Sequence, residues 1–163
     1  MNRATLWKLL RHYGIPTKLV SLITCKVIHE GQFSRQFQVQ TGVRQGCLLS
    51  PFLFLLVIDW IMKMTTKQRR NGIQWTLWSQ LDDLDFADDL ALLSHNRQQM
   101  EDKRTRLMDI SAKVGLSIHK QKTKVMKVNT ASTEPVLLER SPLGEVESFT
   151  YLGSIINCAG RYG

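Results

Sequence analysis

Apolar positions near the start of the chain follow helical spacing. Leu6, Leu9, Leu10 and Tyr13 lie at i, i+3, i+4 and i+7, which predicts a helix that ends at Gly14. Proline fits the first turn of a helix, so a second helix is predicted from Pro16. Its apolar face would hold Leu19, Leu22, Ile23 and Val27.

Two longer helices are predicted further along. Ser50 as N-cap and Pro51 as the first helical residue predict a helix to about Arg70, apolar nearly all round in its first half and therefore buried. Asn96 and Gln99 loosely resemble a capping box for a helix that ends by Gly115. Its apolar face would carry Met100, Leu107, Ile110 and Val114, with Arg97, Lys103, Arg104 and Arg106 facing water or a ligand.

Alternating apolar residues predict strands elsewhere. Gln32–Thr41 alternates, and Leu81–Leu93 predicts two short strands around the Asp88-Asp89 pair. Short alternating runs follow at 125–128, 136–138 and 149–156. We therefore predict a single α/β (α+β) domain with a largely antiparallel sheet and helices packed on one face.

Length and composition limit the class of protein. The chain has 163 residues, 43% of them apolar, which is enough for one folded domain. Its longest uninterrupted apolar run, 52–58, is far shorter than the roughly 20 residues of a membrane span, and no secretory signal is visible. We expect an intracellular protein, nuclear or cytoplasmic, that is not secreted and has no membrane partner. The three widely spaced cysteines, Cys25, Cys47 and Cys158, agree with that expectation.

The charge is distributed unevenly. The net charge is +8, yet five of the 14 acidic residues fall within Asp82–Asp89. The other 155 residues carry 22 basic and 9 acidic side chains, a net charge of +13. A basic surface of this kind suits a nucleic acid, although a merely soluble surface is an equal alternative.

Asp88 and Asp89 are the first candidates for chemistry. Leu84 and Phe86 precede them at strand spacing, so the two acids are expected in a tight hairpin turn. Adjacent carboxylates repel each other unless a cation lies between them, and hard oxygen ligands favour Mg²⁺. The alternative is an ordinary solvated acidic turn.

Four segments together favour the metal site. FADDLALLS resembles the catalytic hairpin of reverse transcriptases, and TGVRQGCLLSPFLF resembles the loop and helix beneath the incoming nucleotide. GLSIHKQKTKVM resembles the lysine motif near the triphosphate, and FTYLGSII resembles the primer-grip hairpin. They occur in the family's order, and their wording is similar to that of the non-LTR (LINE-type) retrotransposon branch. MNRATLWKLLRHYGIP also resembles the segment after that family's first catalytic motif.

The resemblance implies a polymerase palm and a reaction. The parent enzyme would be an RNA-directed DNA polymerase that uses an RNA template, a DNA primer, deoxynucleoside triphosphates and Mg²⁺ (or Mn²⁺). Residues 1–163 would be a partial reverse transcriptase domain, the palm with part of the fingers. The aspartate of the first motif would lie just before Met1 and the thumb beyond the last residue, so this chain alone is expected to be inactive.

The resemblance also assigns roles to individual residues. Asp88 and Asp89 would be the catalytic metal ligands, within a motif in which Phe86 and Ala87 contact the substrate. Lys122 would protonate or neutralise the leaving pyrophosphate. The substrate-binding set is completed by Arg44, Gln45 and Gly46 at the nucleotide and by Tyr151, Leu152 and Gly153 in the primer grip.

Several alternatives stay open. Arg44 also fits an ordinary surface residue, Gly46 a turn glycine, and Tyr151 and Leu152 a core. Asp82, Asp83 and Asp85 match no catalytic position and are predicted to be solvated acids at a strand edge. The whole chain could also be a catalytically silent nucleic-acid-binding remnant, or an interaction protein that keeps only the palm fold.

Overall fold

The computed structural model describes residues 2–18, 26, 28–35, 49–67, 72–130, 133–138 and 141–158. Within these ranges the chain is mixed α/β, with three helices and six two-stranded pairs. The helices are α1 (Arg3–His12), α2 (Leu49–Thr66) and α3 (Arg97–Lys113). The strands are β1 (Ile28–His29), β2 (Gln32–Phe33), β3 (Ile73–Gln74), β4 (Gln80–Leu81), β5 (Asp83–Phe86), β6 (Asp89–Leu92), β7 (Lys124–Val125), β8 (Leu137–Leu138), β9 (Ser141–Pro142), β10 (Gly144–Glu145), β11 (Ser148–Tyr151) and β12 (Ser154–Asn157).

Asparagine side chains cap the beginnings of α1 and α3, and the cap of α3 is the predicted one. The Asn2 side-chain oxygen accepts a hydrogen bond from the Ala4 amide at 2.9 Å, and the Asn96 oxygen accepts one from the Gln99 amide at 2.9 Å. The second bond of a capping box is not formed at α3, because the buried Gln99 side-chain oxygen has no hydrogen-bond partner. Gly14, at φ +78°, follows the end of α1 as predicted.

Helix α2 differs from its prediction in two respects. It begins at Leu49, so Ser50 lies inside the helix and is not its N-cap. Its first half is not buried all round, because Leu49, Phe52 and Leu55 are exposed while the opposite face packs into the core. The predicted extension to Arg70 lies partly outside the described residues.

The length and composition of α2 alone would allow it to cross a bilayer, and it is the single helix of that kind in the described part of the chain. A core helix of a water-soluble fold passes the same test, so this property is weak support for membrane insertion. Six residues of α2 are buried in the fold, namely Leu53, Val57, Ile58, Ile61, Met62 and Thr65.

One main apolar core joins the three helices. Leu6, Leu9 and Leu10 of α1 pack with the buried face of α2 and with Val114, just after α3. Leu90 and Leu92 of β6 lie against the same core. A smaller core of Val136, Leu138 and Leu143 packs against Met100 and Met108 of α3 and against Val125.

A polar network joins α1 to α2 beside the main core. The Tyr13 hydroxyl donates a hydrogen bond to the Asp59 carboxylate, which also pairs with the Lys63 ammonium at 2.8 Å. Burial and then the hydrogen bond to Asp59 raise the pKa of Tyr13. Asp59 thus has the polar partners that a carboxylate following a buried run requires.

The predicted antiparallel sheet is found only in part. Five of the six strand pairs in the described chain are antiparallel, and the β7–β10 pair is parallel. Within the described residues the pairs are not joined into one sheet. Alternation predicts which side chains share a face, whereas the choice of neighbouring strand depends on tertiary packing. The predicted helix from Pro16 lies mainly outside the described residues, as does most of the predicted strand Gln32–Thr41.

Candidate metal and nucleic-acid site

The predicted acidic hairpin is formed by β5 and β6. Its ladder runs from the Asp83–Leu92 pair to the Phe86–Asp89 pair, leaving Ala87 and Asp88 as the turn. Asp89 is therefore the first residue of β6 and not a turn residue. Ala87, at φ +57°, takes the left-handed backbone conformation. That conformation is unfavourable for alanine, so the flanking ladder must hold it in place.

The hairpin exposes its two candidate metal ligands to solvent, while its second strand packs against the main core. Asp88 and Asp89 are exposed, and Phe86 is 61% exposed. Leu90 and Leu92 in β6 pack against the main core. Within the described residues no hydrogen bond or ion pair occupies the carboxylate of Asp88 or Asp89. Both are thus available to a ligand, with Asp88 in the turn and Asp89 at the start of a strand that packs on the core.

The open end of the hairpin is held by a buried lysine. Lys103 on α3 is only 3% exposed, and its ammonium lies 2.6 Å from the Asp82 carboxylate. It also donates to the backbone carbonyls of Asp82 at 3.0 Å and Leu93 at 2.7 Å. Two predictions are therefore wrong, because Lys103 does not face water and Asp82 is not a solvated strand-edge acid.

Asp83 and Asp85 have different surroundings. Asp83 is half-buried, and desolvation followed by repulsion from Asp85 raises its pKa, although Lys103 acts in the opposite direction. Asp85 is exposed, as predicted for an acid at a strand edge. The acidic segment thus combines a paired carboxylate, a partly desolvated one and three exposed ones.

A second hairpin, β11–β12, carries Tyr151. Tyr151 pairs with Ser154 across a turn formed by Leu152 and Gly153, both in the left-handed region at φ +50° and +83°. Burial raises the pKa of Tyr151, and the carboxylates of Asp85 and Asp89 raise it further. The Tyr151 phenol is thus within electrostatic range of two acids of the first hairpin, and Leu152 is exposed at the turn.

The remaining predicted site residues are Lys122 and the set expected at the incoming nucleotide. Lys122 is exposed in a turn before β7, where its amide donates to the His119 carbonyl at 3.1 Å. Arg44, Gln45 and Gly46 lie outside the described residues, so their predicted roles stay predictions.

The donor chemistry of Asp88 and Asp89 fits a hard divalent cation. Mg²⁺ usually retains several waters and binds one or two carboxylates together with substrate phosphates. Two adjacent exposed carboxylates match that incomplete protein shell. Within the described part of the chain no group of three or more His, Cys, Asp or Glu side chains forms a ready-made metal cage.

Comparison with known families identifies the class of protein. The family model described as reverse transcriptase (RNA-dependent DNA polymerase) matches residues 1–156, and the chain belongs to this family. Reverse transcriptases typically use a divalent metal, in agreement with the donor set at Asp88 and Asp89.

The curated relatives place the chain near one group of mobile elements. A retrovirus-related Pol polyprotein from the type-1 retrotransposable element R2 of Popillia japonica is 24% identical over 160 residues, covering 90% of this chain and 26% of that protein. The Pol polyprotein from the type-2 element R2DM of Drosophila melanogaster is 25% identical over 184 residues, covering 99% and 17%. The chain is thus a reverse transcriptase domain distantly related to R2 non-LTR retrotransposon proteins, and spans about a quarter of their length or less.

Sequence reasoning missed Lys103 and Asp82 although a signal was present. Lys103 falls between Met100 and Leu107 at the 3–4 spacing of the apolar face that continues to Ile110 and Val114. A lysine in the middle of an apolar helix face needs buried partners. The acidic segment at 82–89 could have supplied one, but the pattern alone does not indicate which carboxylate.

Proposed function

We propose that this chain is the palm, with part of the fingers, of an RNA-directed DNA polymerase that binds its metal at the β5–β6 hairpin. The observation that carries the proposal is the arrangement of Asp88 and Asp89, two exposed carboxylates at the turn of a hairpin whose second strand packs on the core. Tyr151 from the second hairpin lies in the electrostatic range of Asp89. An acidic hairpin within electrostatic range of a hairpin that resembles a primer grip suits the transfer of a nucleotide to a primer end.

The chain's own residues have distinct tasks in this proposal. Asp88 and Asp89 hold Mg²⁺ or Mn²⁺, and a bound ion stabilises charge on the attacking and leaving oxygens of phosphoryl transfer. Phe86 and Ala87 form the surface beside the primer end, and Leu152 with Gly153 supports the primer strand. Lys122 neutralises the leaving pyrophosphate. Arg44, Gln45 and Gly46 contact the incoming deoxynucleoside triphosphate and the template.

Charge supports the proposed RNA template and DNA primer. The chain carries a net charge of +8, and all 22 of its basic residues lie outside Asp82–Asp89. Contacts between Lys or Arg and phosphate release counterions, so they favour any nucleic acid over a neutral partner. The same charge supports the second candidate, a silent nucleic-acid-binding remnant, which differs from the first in needing no metal at Asp88.

Metal binding separates these two candidates. We expect Mn²⁺ to bind the purified 163-residue protein weakly and Asp88→Asn to reduce that affinity at least tenfold, since the substitution removes one of two charged ligands. Water-proton relaxation during Mn²⁺ titration measures the dissociation constant of each protein. Asp109→Asn is the matched control, because Asp109 is an exposed acid on α3 and is not part of the hairpin.

The Mn²⁺ affinities of the wild type and the two variants distinguish the two candidate functions. Loss of binding in Asp88→Asn but not in Asp109→Asn supports the polymerase proposal. Equal affinity for Mn²⁺ in the wild type and both variants would remove the metal site from Asp88 and leave the silent remnant as the better candidate.

A further inference from the structure

We propose that Lys103 is a positioning residue that sets the orientation of the acidic hairpin through its open end. The inference rests on the proposed function, since it concerns the same carboxylates. Lys103 does not reach Asp88 or Asp89 itself. It acts through Asp82 and Leu93, the residues on either side of the β5–β6 pair.

The contacts of Lys103 use its whole hydrogen-bonding capacity. An ammonium has three donors, and three acceptors surround this one: the Asp82 carboxylate, the Asp82 carbonyl and the Leu93 carbonyl. Asp82 and Leu93 are also joined directly, because the Leu93 amide donates to the Asp82 carbonyl at 2.9 Å. One side chain therefore fastens the two ends of the hairpin to each other and to α3.

The burial of Lys103 makes this contact specific. Its side chain is 4% exposed and that of Asp82 is 21% exposed, so neither water nor salt readily replaces the pair. An ammonium taken out of water is tolerated only when it is paired and hydrogen-bonded. Lys103 consequently allows one placement of the Asp82 and Leu93 backbones, and the four-residue ladder extends that placement to the turn.

An apolar residue at position 103 would stabilise the contact between α3 and the hairpin without fixing the orientation of the hairpin. A methionine or leucine packs against a neighbour in several arrangements, whereas three hydrogen bonds from one nitrogen define a single geometry. Strand β6 of the hairpin packs against the core through Leu90 and Leu92. Lys103 thus supplies the polar attachment that these apolar contacts lack, and we infer that it fixes the angle at which Asp88 and Asp89 are presented.

The test compares Lys103→Met with Lys113→Met in the 163-residue protein. Both substitutions remove an ammonium from α3, but Lys113 is exposed. We expect Lys103→Met to weaken Mn²⁺ binding at least fivefold, measured by water-proton relaxation where circular dichroism shows a folded protein. Lys113→Met should bind as the wild type does.

A double variant separates positioning from stability. Lys103→Met leaves Asp82 buried without its partner, whereas Lys103→Met/Asp82→Leu replaces the pair by apolar groups, which is commonly tolerated. We expect the double variant to unfold near the wild-type temperature and still to bind Mn²⁺ at least fivefold more weakly. Wild-type Mn²⁺ affinity in the folded double variant would overturn the proposal and reduce Lys103 to a structural residue.

Amide hydrogen exchange without metal keeps this inference independent of the proposed function. The amides of Phe86 and Asp89 lie at the turn end of the ladder, opposite Lys103. We expect them to exchange faster in the double variant while the amide of Leu10 in the core is unchanged. Unchanged exchange at Phe86 and Asp89 would refute the positioning role. Absence of Asp88-dependent Mn²⁺ binding in the wild type would refute only the polymerase proposal.

Discussion

Truncation of Leu10 tests how α1 joins the rest of the fold. Leu10 is 0% exposed and belongs to the same core cluster as Val57 and Ile61 of α2. Leu10→Ala removes the buried part of the side chain and leaves a cavity between the two helices. Truncation of a buried leucine to alanine lowers the free energy of unfolding by about 2–5 kcal/mol. Because Leu10 is completely buried, we expect a loss of about 3 kcal/mol or more. That is a large fraction of the roughly 5–15 kcal/mol that stabilises a domain.

Urea denaturation followed by circular dichroism measures the free energy of unfolding. A loss of about 3 kcal/mol with an unchanged slope of about 2 kcal/mol per molar lowers the midpoint by about 1.5 M urea. Leu55→Ala on α2 is the matched control, because Leu55 is 46% exposed. Leucine and alanine have similar helix propensities, so the control should lose less than about 1 kcal/mol.

The comparison of these two variants decides whether α1 is docked. A midpoint for Leu10→Ala that is no lower than that of Leu55→Ala would mean that Leu10 is not buried against α2. The core that supports Leu90 and Leu92 of the acidic hairpin would then have to be formed without α1.

Two further predictions concern pH and salt. Tyr13→Phe should lose about 1.5 kcal/mol at pH 7, since it removes a hydrogen bond to the charged Asp59. Because burial and Asp59 raise the pKa of Tyr13, the stabilisation by its hydroxyl is complete below about pH 10 and declines above it. The urea midpoints of the wild type and Tyr13→Phe should therefore converge above about pH 10. A difference between the two midpoints that stays constant up to about pH 11 would contradict this origin. Primer–template binding, measured by fluorescence anisotropy, should weaken at least tenfold between about 50 and 200 mM salt, whereas salt-independent binding would favour the interaction-protein alternative.

Local sequence determined where α1 and α3 begin and the existence of the acidic hairpin. Asn2 and Asn96 act as caps because a side-chain oxygen reaches an amide two or three residues away, a contact that needs no distant partner. The β5–β6 ladder also joins near neighbours, so alternation around Asp88 and Asp89 was enough to predict it. Motif wording then indicated the family, which comparison over residues 1–156 confirmed.

Burial of individual side chains was determined by tertiary packing. The pattern of α2 predicted a buried first half, yet Phe52 and Leu55 are exposed, since only one face meets α1 and the core. Lys103 was predicted to face water or a ligand, although it occupies a buried position in the apolar face of α3. The type of a residue determines how strongly its side chain favours water. The position of neighbouring elements decides whether a hydrogen-bonding partner in the protein can take the place of that water.

The relation between the two hairpins was also beyond the sequence. The first hairpin was predicted from its own alternation, and the second from its resemblance to a primer-grip hairpin. That Tyr151 comes near Asp85 and Asp89 depends on how β11–β12 is placed against β5–β6, which involves residues far apart in the chain. Short-range hydrogen bonds therefore made the elements of this reverse transcriptase domain predictable, whereas desolvation and long-range packing decided which side chains of the candidate site meet.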